Sequence, residues 1–342
     1  MLTTVLSTVP GTVPGVRPEV CVSAFDLPWL VADIGGTNAR FGLVTSLGAP
    51  PSHVAVLAGA DYATLPEAVA AYLAEHAGGV RPGAACLALA GPVDGDDYRL
   101  TNSVWAGSVR ELGIPYARLL NDFEALAVSL PHLEGGDLVS LGGPAPAHGV
   151  KAVLGPGTGL GVGGLVPVED GWTPIPGEGG HVTVPVVEPR EFEVVRALRE
   201  QGLAHVVAEH VLSGPGLVRL HRALALVNGV GAPDLSASDI VARVDDSLCA
   251  ETVEVFCGML GGFAGNVALT LGARGGVYLA GGVLPRIVER VRTSGFRTRF
   301  ESNPDMAAYL AGIGTVLIVA PQPGMTGAAA WLSRRARREL VG

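Results

Sequence analysis

The 342-residue sequence has a single lysine, Lys151; every other residue among its 23 Lys and Arg is arginine. A Walker A loop needs Gly-Lys followed by Ser or Thr, and a protein kinase needs a strand lysine beside the phosphates. Lys151 stands between Val150 and Ala152, so neither scheme applies. Cysteine is scarce too. The four, at 21, 86, 249 and 257, include no C-x-x-C pair, which argues against a zinc knuckle or a disulfide framework and points to a reducing cytoplasm. Charged residues make up only 16% with a net charge of −9, and the one basic cluster, Arg334, Arg335, Arg337 and Arg338, sits where it can cap a last helix. No nucleic-acid partner is expected from that balance. No uninterrupted apolar run reaches the ~18 residues of a membrane span, and Met1 to Ala24 lacks the basic start and long apolar centre of a signal peptide. No membrane association is expected, and residues 1–28, rich in Thr, Val, Pro and Gly, read as a flexible extension.

What is present is apolar and rich in glycine. At 48% hydrophobic residues, the chain can bury a sizeable core, and its length suggests two domains. Its 49 glycines are about twice the usual ~7%, yet they follow no G-X-Y period and gather in clusters, which predicts tight backbone turns. WLVADI, GGTN and ARFGLV read as strand, turn and strand; VKAVL, GPGTGLGVGG and LVPV repeat the pattern ~120 residues later. Helical spacing dominates 62–76, 188–226 and 236–271, and strands are expected at AACLALA, YARLLN, VYLA and TVLIVA. The plan is a duplicated α/β fold, divided near Pro131, with 29–131 and 321–342 forming a small domain and 132–320 a large one.

Several motifs can carry chemistry. Asp33 ends a strand before Gly35, Gly36, Thr37 and Asn38. Such a turn can aim backbone N–H groups at a phosphate while the acid holds Mg²⁺ through water; the alternative is an ordinary hairpin. Gly155 to Gly163 hold five glycines in nine residues around Thr158. Gly159, Gly161 and Gly164 even satisfy G-x-G-x-x-G, but the prolines that follow forbid the helix a dinucleotide site requires, so a phosphate cradle between strands is the better account. Asn121-Asp122 marks a strand-to-helix transition, where Asp122 is either an N-cap or the base that takes a proton from an attacking hydroxyl. Glu178 and His181, separated by Gly179-Gly180, can converge on a polyol, make a structural hydrogen bond, or contribute to a metal site that lacks a third ligand nearby. Glu209 lies late in a helical run and by itself reads as a solvated carboxylate.

Taken in order, VADIGGTNAR, LAGPVDGDDYRLTNSVW, LLNDFEALA, VLGPGTGLGVGG, PGEGGH, AEHVLSGPGL and YLAGGV resemble the bacterial glucokinases of the hexokinase-like branch without a zinc-binding cysteine cluster. The resemblance runs from Leu30 to the C-terminus. It implies an actin/hexokinase-type ATPase fold, two α/β domains flanking a cleft that takes ATP, Mg²⁺ and glucose, and the product glucose 6-phosphate. It implies Asp122 as catalytic base and Asn102, Asn121, Asp122, Glu178, His181 and Glu209 as sugar-binding residues. Asp33, Gly35, Gly36, Thr37, Asn38, Gly155, Gly157, Thr158, Gly159, Gly281 and Gly282 become nucleotide-binding residues, and a cytoplasmic homodimer is expected. A same-fold kinase for another hexose or phosphoryl donor, and a non-catalytic sugar sensor, are the alternatives.

Overall fold

The structure, a computed structural model, describes residues 25–341 apart from Asn102 and Val244. Its elements in chain order are β1 (Trp29–Ile34), β2 (Asn38–Val44), β3 (Ser52–Ala58), α1 (Leu65–Glu75), β4 (Ala84–Leu89), β5 (Val93–Asp94), β6 (Asp97–Arg99), β7 (Ala106–Ser108), β8 (Tyr116–Asn121) and α2 (Asp122–Ser129). The second half adds β9 (Leu138–Gly142), β10 (Lys151–Pro156), β11 (Leu160–Val168), β12 (Gly171–Ile175), α3 (Pro189–Glu200), α4 (Gly214–Val227), α5 (Ala237–Ala242) and α6 (Ser247–Leu271). It closes with β13 (Val277–Leu279), α7 (Val288–Thr293), α8 (Phe296–Phe300), α9 (Ala307–Ala311), β14 (Thr315–Ile318) and α10 (Pro323–Val341).

One plan is used twice. The first sheet runs β3-β2-β1-β4-β8 and the second β12-β11-β10-β13-β14-β9, with β5-β6-β7 as a small separate sheet. In each large sheet the leading hairpin is antiparallel (β1 with β2, β10 with β11), and the next strands, β4 and β8 or β13 and β14, join in parallel. Parallel strands must be covered on both faces, which is why β4 is buried at every residue and β1 at all but Asp33. Helix α10 supplies one cover: Met325, Ala328, Ala329, Leu332 and Ala336 pack on Trp29, Val31, Ala84 and Cys86.

Local chemistry sets the helix ends. Thr64 accepts the Glu67 N–H to start α1, Ser213 accepts the Gly216 N–H to start α4, and Gly272, at φ 66°, ends α6 in the left-handed conformation. By length and composition α6 could cross a membrane, but 72% of its apolar window is buried inside the protein, as befits a core helix. Cys86, Cys249 and Cys257 are buried and free. Most of the expected extension lies outside the described residues. Its last part is docked: the Phe25 ring lies 4.6 Å from that of Tyr116, and the Trp29 indole N–H donates to the Phe25 carbonyl at 3.1 Å.

Candidate active site

The chemistry-bearing residues gather at the carboxyl ends of β1, β8, β10 and β13, where open α/β sheets bind ligands. At the end of β1, Gly35 N–H donates to the Asn38 carbonyl at 3.0 Å, closing a turn through Gly35, Gly36 and Thr37 into β2. Thr37 and Asn38 are exposed there, and the Gly59 N–H steadies the turn by donating to the Thr37 carbonyl at 2.8 Å. Asp33 is half-buried. Burial raises its carboxyl above the usual aspartate value, while Arg40, its cross-strand partner, opposes the rise. A methyl group on Gly324, in the first turn of α10, would stand 3.1 Å from the Asp33 carboxyl carbon, so glycine lets the helix start close to the acid.

Of the two roles that the sequence left open for Asp122, the structure gives the cap to its neighbour. Asn121, not Asp122, caps α2: its Oδ1 accepts the Phe123 N–H at 2.9 Å, and its Nδ2 donates to the Gly91 carbonyl at 3.2 Å. Glu124 completes a capping box by accepting the Asn121 N–H at 3.0 Å. Most of the Asn121 side chain is therefore engaged in structure. Asp122 becomes the first helical residue, and its carboxyl is pushed up to about 6. Burial is the main cause; the Phe123 N–H on its Oδ1 at 3.0 Å lowers the value, and the charges of Asp33 and Glu178 raise it. That electrostatic coupling ties the acid of the first hairpin, the acid of the helix start and the acid of the PGEGGH loop into one site.

The loop glycines have tertiary reasons. Gly179 and Gly180 lie in a one-turn 3-10 helix, Gly179–His181, leaning on β11; a methyl on Gly179 would stand 2.8 Å from Val162 Cβ, and one on Gly180 would collide with the Leu160 carbonyl. His181 then reaches both carboxylates, with Nδ1 3.6 Å from Glu178 Oε2 and Nε2 3.9 Å from Glu209 Oε1. Glu209 is not late in a long helix, as its sequence suggests. It occupies a single 3-10 turn, Ala208–His210, between α3 and α4, because Ala208 N–H is drawn across to the Val182 carbonyl at 2.9 Å. The two loops are stitched together again by the Val184 N–H on the Val206 carbonyl at 3.1 Å.

The second glycine segment is a hairpin with an exposed tip. Gly155 and Gly161 lie within β10 and β11 as a directly opposed pair, and only Gly157, Thr158 and Gly159 form the tip. Gly155 is buried, and the Phe123 ring takes the place of a side chain there: its Cζ would stand 2.5 Å from a methyl group on Gly155. The tip is held by the Gly214 N–H on the Gly157 carbonyl at 2.7 Å and by Glu209, whose Oε2 accepts the Leu160 N–H at 2.8 Å. Gly281, at φ 93°, passes so close to Pro156 that a methyl would stand 2.8 Å from the Pro156 carbonyl carbon; Gly281 and Gly282 are exposed beside the same hairpin. Asn102 lies outside the described residues.

Lys151 is nowhere near this tip: it sits at the opposite end of β10. Its Nζ donates to the Ala147 carbonyl at 2.9 Å, the Gly275 carbonyl at 3.1 Å and the Tyr278 hydroxyl at 3.0 Å, and burial lowers its pKa. The only lysine is a structural brace. Among the described residues no group of three or more His, Cys, Asp or Glu forms a metal cage. Asp33 instead offers a hard carboxylate oxygen within electrostatic reach of Asp122, a donor set that fits a Mg²⁺ ion held mainly by waters and phosphates. Sequence reasoning missed Phe123 and Gly324: Phe123 sits between two acids but is an apolar residue with no chemistry of its own, and Gly324 belongs to no glycine cluster.

Two similar sheets, each led by a glycine hairpin and bridged by α2, are the plan of the actin/hexokinase-like ATPase class, and the relatives of this chain are sugar kinases. Solved structures agree. A glucokinase from an Antarctic psychrotroph superposes with a TM-score of 0.82 at 36% identity over 89% of this chain and 98% of that one. A ROK-family glucokinase from Streptomyces griseus, in complex with glucose and AMPPNP, shares the fold at a TM-score of 0.58 and 20% identity, over 90% and 99%. The family model for glucokinase matches residues 30–335, and the glucokinase of Saccharophagus degradans is 46% identical over 322 residues, 91% of this chain and 99% of its own. The chain belongs to the glucokinase family.

Proposed function

We propose that this protein transfers the γ-phosphoryl group of ATP to the C6 hydroxyl of glucose, giving glucose 6-phosphate and ADP. The observation that carries the reading is Asp122. Its carboxyl, raised to about 6, interacts with Asp33 beside one glycine hairpin and with Glu178 in the PGEGGH loop. A base with that pKa is ionised at neutral pH yet basic enough to take a hydroxyl proton in the transition state. Asp122 would accept the C6 proton as the oxygen attacks, while the Phe123 N–H keeps one carboxylate oxygen in place.

Glu178, His181 and Glu209 would bind the remaining hydroxyls, with Asn102 and the free amide hydrogen of Asn121 as further partners. Unmet bonds in such a pocket discriminate against sugars lacking a paired hydroxyl. Gly157, Thr158 and Gly159 would face the phosphates from one side and Gly35, Gly36, Thr37 and Asn38 from the other, with Gly281 and Gly282 beside the adenosine. Asp33 would hold Mg²⁺ through water; when bound, that ion neutralises phosphate charge. The lobes, 29–131 with 321–342 and 132–320, would close on the ligands and exclude competing water. A cytoplasmic, soluble homodimer completes the proposal.

The test is sugar-dependent ADP release with glucose, mannose and fructose, and with polyphosphate in place of ATP. Glucose with ATP is expected to give the highest kcat/KM. Preference for another hexose or donor would reassign the substrate, and glucose binding without any ADP would leave a sensor. Asp122→Ala is expected to lower kcat by roughly 10²–10⁴-fold with sugar binding partly retained.

A further inference from the structure

Phe123 joins the two halves of this site, and its surroundings are built to admit it. Gly155 and Gly161 are direct cross-strand partners in the β10–β11 hairpin, so two missing side chains open a notch on one face of the hairpin. The Phe123 ring fills that notch. A methyl on Gly155 would stand 2.5 Å from its Cζ and 3.1 Å from its Cε1, and a methyl on Gly161 would fall on the ring itself. A methyl on Gly163, two residues along β11, would sit 3.4 Å from the Phe123 carbonyl oxygen. Three glycines on the hairpin therefore give way to one residue of α2. The backbone of that residue faces the other half of the site: its N–H donates to Asn121 Oδ1 at 2.9 Å and to Asp122 Oδ1 at 3.0 Å. Beyond the notch, within two residues on either strand, lies the Gly157–Gly159 tip.

We propose that Phe123 is a positioning residue for phosphoryl transfer: its ring, seated in the Gly155–Gly161 notch, fixes the Asp122 carboxylate relative to the hairpin tip that faces the phosphates. The inference rests on the roles given above to Asp122 and to that tip. Because the ring spans both strands, neither the hairpin nor the start of α2 can slide without displacing it. A misplacement of about 1 Å between reacting groups costs on the order of 10²-fold in rate. The loops that carry Glu178, His181 and Glu209 rest on Leu160 and Val162 of β11 and not on α2, so the cost should fall more heavily on turnover than on sugar binding.

The experiment is a double-mutant cycle on the full chain, reading kcat, equilibrium glucose affinity and thermal midpoint for each variant. Phe123→Leu keeps an apolar side chain against the same partners and is expected to fold; its kcat should drop by about 10–100-fold while the glucose Kd stays within about threefold. Gly161→Ala alone should lose a comparable factor, because its methyl would displace the ring. In a Phe123→Ala background the same Gly161→Ala change should cost less than about twofold more, since the ring it would hit is gone. Losses that multiply in the double variant would overturn the proposal. So would a Phe123→Leu enzyme with kcat within about twofold of the parent, or one whose glucose Kd weakens as much as kcat falls. Failure of the underlying roles reads differently. A methyl on Gly157 meets nothing within 4 Å. Gly157→Ala is therefore a control that should keep its ATP KM, whereas an unchanged ATP KM in Thr158→Ala, which removes the hydroxyl of the tip, would remove its phosphate role, and full turnover in Asp122→Asn would remove the base, whatever the Phe123–Gly161 cycle shows.

Discussion

Asp122 is held against its own preference. Burial and the neighbouring charges of Asp33 and Glu178 raise its carboxyl from 3.8 to about 6. In the free enzyme the base must be ionised, so log kcat/KM for glucose should fall with unit slope as pH drops below about 6; a profile flat to pH 4.5 would show that another group takes the proton. Stability moves the other way. The folded state binds this proton more tightly than the unfolded chain, so the group's stabilising contribution is complete below 3.8 and is lost as pH rises through about 6. Asp122→Asn removes that penalty and should be more stable than the parent at pH 8 by roughly 2–3 kcal/mol, with the gap closing toward pH 4. Urea unfolding at the two pH values measures it, and a variant less stable at pH 8 would mean that the carboxylate is not strained. The sequence marked Asp122 through its place between strand and helix. It could not assign the cap, because Asn121 and Asp122 are adjacent and both suit that role; the choice was made by Gly91, which accepts the Asn121 amide from another loop.

At the level of elements, glycine carries most of what could be read and most of what could not. The run from Gly155 to Gly163 is visible by inspection, but its composition says only that backbone comes close to something. At Gly155 and Gly161 that something is the Phe123 ring, at Gly159 it is the Glu209 carboxylate, and at Gly157 the space is open. Only tertiary structure separates these cases. Glu209 shows the same limit: its sequence neighbours predict helix, and the pairing of its loop with 182–184 overrides them. That placement gives one carboxylate two duties, since Oε2 anchors Leu160 N–H behind the hairpin tip while Oε1 faces His181. Glu209→Ala should therefore raise the KM values of glucose and ATP together. Glu209→Gln can still accept the Leu160 N–H, so it should raise the glucose KM while leaving that of ATP within about twofold. Steady-state kinetics with each substrate varied settles this; an ATP KM unmoved by Glu209→Ala would break the link between the loop and the tip.

For the whole molecule, the repeated strand-turn-strand pattern was legible because each glycine turn stands between two apolar runs. The edge position of β9 depends on packing between distant segments and left no local mark, whereas the apolar composition of α6 marks a buried helix without saying what covers it. Between the two sheets stands α2, which packs on β4 and β8 of the first and on β10, β11 and β12 of the second, and α10 lies along it. On the side away from the site, a groove of about 1100 Å³ separates α10 and the β2–β3 loop from the β11–β12 turn. Across it, Asp170 pairs with Arg334 at 3.0 Å and with Arg338. Asp170 is open to solvent, and ion pairs of that kind hold weakly and are screened by salt. Two sheets joined through a helix pair and this contact, in which Arg334 also donates to the Trp172 carbonyl, are expected to rotate about that pair as hinged domains do. Ligands that bind residues of both sheets at the opposite end should draw them together. Asp122→Asn is suited to the test, because it can hold glucose and ATP without consuming them. Small-angle scattering of this variant should show a smaller radius of gyration with both ligands at saturation than with neither. A radius unchanged by ligands that calorimetry shows to be bound would mean that the cleft is fixed, and that water is kept from the phosphate by the loops alone.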